Sequence, residues 1–451
     1  MADVKLFGAK GDGQTDDTAA IGHAIQRGDG YLVFPRGDYL ISRPLYVPLN
    51  LHGRLGVDGS AGTARLIMAG PGPALHLVGT HRKSALPASF AEAVWQKERM
   101  PVVQNLEILG RHPEADGIRL DGAMQPTLTG MLIRRCRHGV HLLGRDRNVL
   151  IANCHIYDNT GVGVFLDRLN LHQINIVGSH ISYCKQGGIK VVGSEIRNLQ
   201  IDSNDIEYNF DEKAETSADI LLDARAGTIR EGAIVGNTIQ ALRSPRGANV
   251  RFVGVGKGTN TAVGMFAISA NLIGDTMTSI HLQSCRGITV VGNCTYSGFA
   301  HSIWAEDSEC LVIGPNNIDH NSDYKGKSND RILLQNCKNV TLTGLILQHI
   351  READEPPDAS IEIAGCQDVS LTGCHVIGAR RRGVLVRNSS VVRVADCTIR
   401  PREGDADYQA AVSVDAKSSR VMVVNNFVAK GAGGTVVLPP ESGTASNNIT
   451  V

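Results

Sequence analysis

The sequence has few aromatic residues, no net charge, no long apolar run and no paired-cysteine motif. Each absence removes a class of protein. Aromatic residues make up 4% of 451, with only 2 Trp among them. Lys+Arg and Asp+Glu both number 45, so the formal charge is zero. Without a basic surplus there is no electrostatic footprint for nucleic acid or an anionic membrane surface. No stretch approaches the roughly 18 apolar residues of a membrane span, and no charged-then-apolar leader opens the chain. The compartment is left open: the protein stays inside the cell, or works outside after removal of a signal. There are 10 Cys but no CxxC pair and no Cys/His cluster, so no zinc site is expected. Cys136, Cys154, Cys184, Cys374 and Cys397 recur at equivalent positions of the pattern described next, as buried free thiols would.

What is present is a repeat. The segments from Val149 to Asn159, Ile174 to Cys184 and Leu199 to Asn209 superimpose on Ile156, Ile181 and Ile206, 25 residues apart. The column before the isoleucine holds His155, His180 and Asp205, and the column after it Tyr157, Ser182 and Glu207. In a strand, neighbours of one residue face the opposite way. The isoleucines therefore point to one side and the polar columns to the other. Similar segments run on through Ile288–Asn293, Val340–Gly344, Val369–Gly373 and Val421–Asn425, at spacings of 22 to 34 residues. Gly, at 50 residues, and Asn recur just after these segments, where turns need a left-handed backbone. By length alone the chain would hold about three domains. A repeat that buries its apolar face against its neighbours overrides that count and reads as one solenoid. No helical period appears within the repeats, which excludes leucine-rich and helical arrays.

Residues 1–47 form an entry. A loop with Asp12, Asp16 and Asp17 runs into a helix with Ala20, Ile21, Ala24 and Ile25 on its apolar face, capped by Asp16 or Asp17. The solenoid is assigned to 48–430 and an end segment to 431–451. Lateral loops are expected at 80–101, 209–218, 243–262, 319–330, 351–358 and 401–408. Within the first of these, Pro87 to Lys97 has helical apolar spacing with Ser89 as its cap. Gly8, Gly11 and Gly13 lack the strand and GK[ST] of a phosphate loop, and Arg380–Arg382 reads as a solvated edge.

The stretch from Phe7 to Ile21 (FGAKGDGQTDDTAAI), followed by Phe34 to Ile41 (FPRGDYLI), closely resembles the opening of the pectate-lyase-like superfamily, which includes phage tailspikes, alginate epimerases and inulin fructotransferases. The resemblance covers about the first 45 residues. It implies an all-β, single-stranded right-handed parallel β-helix with an N-terminal capping helix, and it leaves the chemistry open because several activities share the motif. Likeness to the fructotransferases implies intramolecular transfer and a homo-oligomer, a trimer in particular. No catalytic motif of that family can be placed on this sequence residue by residue.

The chemistry is expected on the polar columns. Asp205 and Glu207, at i and i+2 of one strand, share a face with Cβ atoms about 6–7 Å apart. Such a pair can reach the carboxylate separations used in glycosidic bond cleavage, and mutual repulsion drives the two pKa values apart into one acid and one base. His180 and His155, on successive rungs, are placed to orient the pair or relay protons. The substrate-binding candidates are Tyr157, Asp158, Asp167, His172, Tyr183, Lys185 and Tyr208, with Asn170 beside them and Arg134 as a further cation. A flat ladder converges poorly on a metal, so no metal and no cofactor are expected. The leading reading is an enzyme that cleaves or rearranges glycosidic bonds of an oligo- or polysaccharide. A polysaccharide lyase acting by β-elimination on a uronate, with Ca²⁺ as a possible requirement, is the first alternative. A non-catalytic glycan-binding solenoid is the second.

Overall fold

The structure is a computed structural model and describes every residue except 212, 215, 245, 257–261, 322, 325 and 349–356. Parts of the loops expected at 209–218, 243–262, 319–330 and 351–358 therefore lie outside the described residues. By compactness the chain divides into two units, Met1–Lys213 with Asp219–Ala233, and Ala214–Ala218 with Ile234–Val451. These cuts fall inside the expected coil rather than at 47 or 430.

In the first unit each turn after the first contributes three strands, and the pairings between turns among the described residues are parallel. Thr127–Thr129, Leu132–Arg134 and Val140–Gly144 form one turn. Arg147–Ala152, His155–Tyr157 and the start of Val164–Val177 lie against them, with Leu128 opposite Ile151, Ile133 opposite Ile156 and Val140 opposite Val164. We call the three stacks first, second and third in that order. The period of two decides what is inside: Ile156, Ile181 and Ile206 are fully buried, and their neighbours on each strand face out. The corner between first and second stacks is two residues long and opens with Asn153, Gly178 or Ser203, at φ of 54°, 58° and 54°. This is the left-handed turn expected from the sequence. The next residue turns inward and bonds to the turn beyond, Cys154 N–H to Ser179 Oγ at 3.1 Å and Ser179 N–H to Asn204 Oδ1 at 3.0 Å. The second unit opens the same plan with asparagine, Asn237, Asn271, Asn293 and Asn316 passing N–H to Oδ1 from rung to rung at 2.9, 3.1 and 2.9 Å, and later turns place Cys374 and Cys397 at this corner. The strand ladder runs on to Ile449–Thr450, so the segment 431–451 continues the coil.

At the N-terminus, Ala2–Asp3 and Asp12–Asp16 start the first and second stacks. Helix α1, Thr18–Arg27, stands where a third-stack strand would fall, and packs on the first such strand, Leu45–Pro48. Ile21, Ala24 and Ile25 are buried against it, which covers an edge that would otherwise be unpaired. The capping expectation is half right. Asp16 accepts from Thr18 N–H at 3.0 Å, but the Asp17 carboxylate turns back and binds Lys10 and Gly11 N–H at 2.7 and 3.0 Å. The single helix expected at Pro87–Lys97 is instead a 3-10 turn, Pro87–Ser89, and a wide π turn, Val94–Glu98. Glu98 is 2% exposed because it is drawn inward to accept from Thr80 N–H at 2.6 Å, and Arg99 N–H reaches back five residues to Val94 O. Ser89 caps nothing; its hydroxyl donates to Ser84 O.

Candidate active site

Three second-stack strands, His155–Tyr157, His180–Ser182 and Asp205–Glu207, lie in register. His155 sits opposite His180 and His180 opposite Asp205, while Tyr157, Ser182 and Glu207 form the parallel row. The expected columns thus become contacts. The imidazoles of His155 and His180 stack with centroids 5.1 Å apart and planes at 26°. His180 Nδ1 lies 3.2 Å from Asp205 Oδ2. Asp205 Oδ1 is buried and, among the described residues, receives no hydrogen bond from an N–H. The Glu207 carboxyl is held above the usual carboxylate range, first by burial, then by the charge of Asp205 and a hydrogen bond with it; His180 pulls it back in part.

Tyr183 and Tyr208 stack beside this row, 5.2 Å apart with planes at 24°. Both stand at the corner after the strand, with φ of 55° and 54°. Arg135 and Asp158 take the same left-handed φ, 55° and 54°, at the equivalent corners of the preceding turns. Tyr183 remains 56% exposed, and Tyr157, on the strand face, 37%. Arg134 continues the outer row but is already held by Glu107 at 2.9 Å. Asp158 is turned to Arg135 at 3.4 Å, and Lys185 stands exposed on the following corner.

Three expected site residues do not join the patch. Val164–Val177 is one long strand that bends from the third stack into the first, with Arg168 at φ 47° and Gln173 at 63°. The bend carries Asp167 to His141 Nε2 at 3.2 Å, and takes Asn170 and His172 into the first stack, Asn170 opposite Glu195 and His172 between Arg147 and Arg197. Sequence reasoning also missed a third-stack cluster. There His141 lies on Phe165 with centroids 5.1 Å apart, and Arg137 clamps the buried Asp116 with two bonds of 2.8 Å. Burial lowers His138 in the same cluster to about 4. The signal was present in part: Phe165 and Lys190 keep the 25-residue step that aligned the second stack, while His141 lies 24 residues before Phe165.

Among the described residues no group of three or more His, Cys, Asp or Glu side chains is arranged to hold a metal ion. No helix there is long and apolar enough to cross a membrane.

Residues 94–242 and 254–428 match the family described as right handed beta helix region. The chain belongs to the right-handed β-helix family. The match also fixes the hand of this β-helix protein's coil. Residues 1–58 match a second family, rhamnogalacturonase A/epimerase, pectate lyase-like. Among solved structures, the Dettilon tailspike protein superimposes with a TM-score of 0.50 at 14% identity, over 99% of this chain and 68% of that one. Tailspike protein 3 of bacteriophage CBA120 gives 0.45 at 12% identity, over 99% of this chain and 61% of that one. The A-module of a mannuronan C-5 epimerase from Azotobacter vinelandii gives 0.33 at 14%, over 100% and 99%. At 14% identity the likeness to the Dettilon tailspike is one of fold. The β-helix protein is also 47% identical over 55 residues to the non-secreted LysM effector LysM19 of Penicillium expansum, a match to 9% of this chain and 4% of that protein's length.

Proposed function

We propose that this β-helix protein is a carbohydrate-active enzyme that cleaves or rearranges glycosidic bonds of an oligo- or polysaccharide. The observation that carries the reading is the Asp205–Glu207 pair, in which Glu207 is pushed towards its protonated form by burial and by its neighbour. Glu207 is the proton donor to the departing glycosidic oxygen. Asp205 acts on the opposite side, as nucleophile at the anomeric carbon or as base to a water. The two carboxyls are hydrogen-bonded to each other, so a bound sugar must part them, to about 5–5.5 Å for the nucleophile role or about 6.5–9.5 Å for the base role. A sugar hydroxyl in place of water turns cleavage into transfer. His180 fixes the orientation of Asp205, and His155 stacks behind His180. The Tyr183–Tyr208 pair offers aromatic surface to a sugar ring. The pectate-lyase-like match at residues 1–58, to a family named for a rhamnogalacturonase and an epimerase, supports a polysaccharide as substrate.

The test is a panel of neutral and uronate-containing glycans, scored for new reducing ends and for the ultraviolet absorbance of an unsaturated product. We expect reducing ends, or a rearranged product, without that absorbance. Asp205→Asn and Glu207→Gln should each lose about 10²–10⁴-fold in turnover. Full turnover in both variants removes the carboxylate mechanism. An absorbing product would mean β-elimination, and binding without any product would mean a glycan-binding solenoid.

A further inference from the structure

Nine arginines lie between Asp116 and Arg225, and six of them meet a carboxylate: Arg119, Arg134, Arg135, Arg137, Arg168 and Arg225. Arg145, Arg147 and Arg197 have no carboxylate partner among the described residues. Two of these three share a ladder with His172: Arg147 lies opposite His172, and His172 opposite Arg197, on successive turns of the first stack. The guanidinium groups are met by carbonyls. Arg147 donates to Asp146 O at 2.7 Å, Asn170 O at 2.6 Å and Asn170 Oδ1 at 2.9 Å. Arg197 donates to Ile196 O at 2.7 Å and to Thr228 Oγ1 at 3.0 Å.

The carboxylates in the neighbourhood do not cancel this charge. Glu195 accepts from Asn170 at 2.7 Å instead. Asp146 is wholly buried, and that burial pushes it up to about 8, against the charged form. Glu231 acts on His172, but less than Arg147, Arg197 and Arg145 do in the opposite direction. Arg147 is 1% exposed and its Nε is buried with no partner among the described residues. A buried cation lacking a counter-ion is expensive, and buried polar atoms are nearly always partnered. His172 and Arg197 are half-buried, so a ligand can reach them while Arg147 adds its field from behind.

We propose that Arg147, His172 and Arg197, with Arg145 beside them, form a binding site for an oxyanion, a carboxylate or sulfate group. Charge-assisted N–H donors of fixed geometry suit such a group better than they suit a neutral hydroxyl. The source is a free inorganic ion or an acidic substituent on a sugar. The site stands apart from the Asp205–Glu207 pair, so the failure of either leaves the other to be judged separately.

The experiment is isothermal titration of the full chain with sodium sulfate, galacturonic acid and galactose, against sodium chloride at equal ionic strength. Wild type, Arg197→Gln, Arg197→Lys and the control Asp205→Asn are compared. We expect saturable sulfate binding that weakens about tenfold or more in Arg197→Gln, returns in part in Arg197→Lys and is unchanged in Asp205→Asn. Galacturonic acid binding wild type alone, with galactose inert, supports a sugar-borne anion; sulfate alone doing so supports a free ion. If Arg197→Gln fails to fold by circular dichroism, Arg145→Gln takes its place. Identical isotherms in wild type and the folded Gln variant overturn the site.

Discussion

Glu207 is poised by two neighbours that act in opposite directions. Burial and Asp205 raise its pKa, and His180, 3.2 Å from Asp205, lowers it. A raised carboxyl keeps its proton to higher pH, so an enzyme that needs Glu207 as acid loses activity as pH rises through that value. Removing His180 removes the lowering influence. His180→Ala should therefore move the alkaline limb of the kcat/KM profile to higher pH. It should also cost about 100-fold in rate, because Asp205 loses its orienting partner. Both effects are read from one pH–rate series. A limb that stays in place, or moves down, would mean that His180 does not act on the pair.

At the scale of the strand and its corners, the buried amide ladder holds the turns in register. Asn271 accepts the N–H of Asn237 and donates from Nδ2 to Ile234 O at 2.9 Å and to Asn293 Oδ1 at 2.9 Å. Asn271→Ala strands these groups in the interior, where an unmet donor or acceptor costs about 1–3 kcal/mol. We expect a loss of about 3 kcal/mol, measured as a lower urea midpoint with unchanged slope; a loss under about 0.5 kcal/mol would show that the amides can be spared. The same strands explain what could be read in advance. The inward isoleucine fixes the register, because a slip of one residue would expose it, so aligning Ile156, Ile181 and Ile206 also aligned His180 with Asp205. The corners were legible in Gly178 and Asn153, whose backbone tolerates left-handed φ. The bend at Arg168 has no Gly or Pro to announce it, so Asp167 and His172 were placed by their nearness in sequence and ended on other faces. The π turn at Val94–Glu98 depends on Thr80, and whether an arginine lacks a carboxylate depends on the turns above and below it. Neither is written in a local window.

Across the whole molecule, the coil buries one inward position after another, and many are filled by cysteine. All ten cysteines are free; eight are buried, Cys294 is exposed and Cys310 is half-buried. Burial pushes Cys136 and Cys184 up to about 12 and Cys154 to about 11. The thiolate is the reactive form, so at about pH 8 a thiol with a pKa near 12 is ionised about once in 10⁴, before any loss of access is counted. Cys294 faces out because it holds the first position of a second-stack strand, between Leu272 and Asn317, where His180 stands in the first unit. Treatment of the native chain with a chromogenic disulfide reagent should therefore label Cys294 quickly and Cys310 slowly, with the other eight released only by denaturant. Because no disulfide supports the fold, a reductant should leave the melting temperature unchanged. Rapid release of several native thiols would mean that the turns open locally far more often than a continuous buried stack permits.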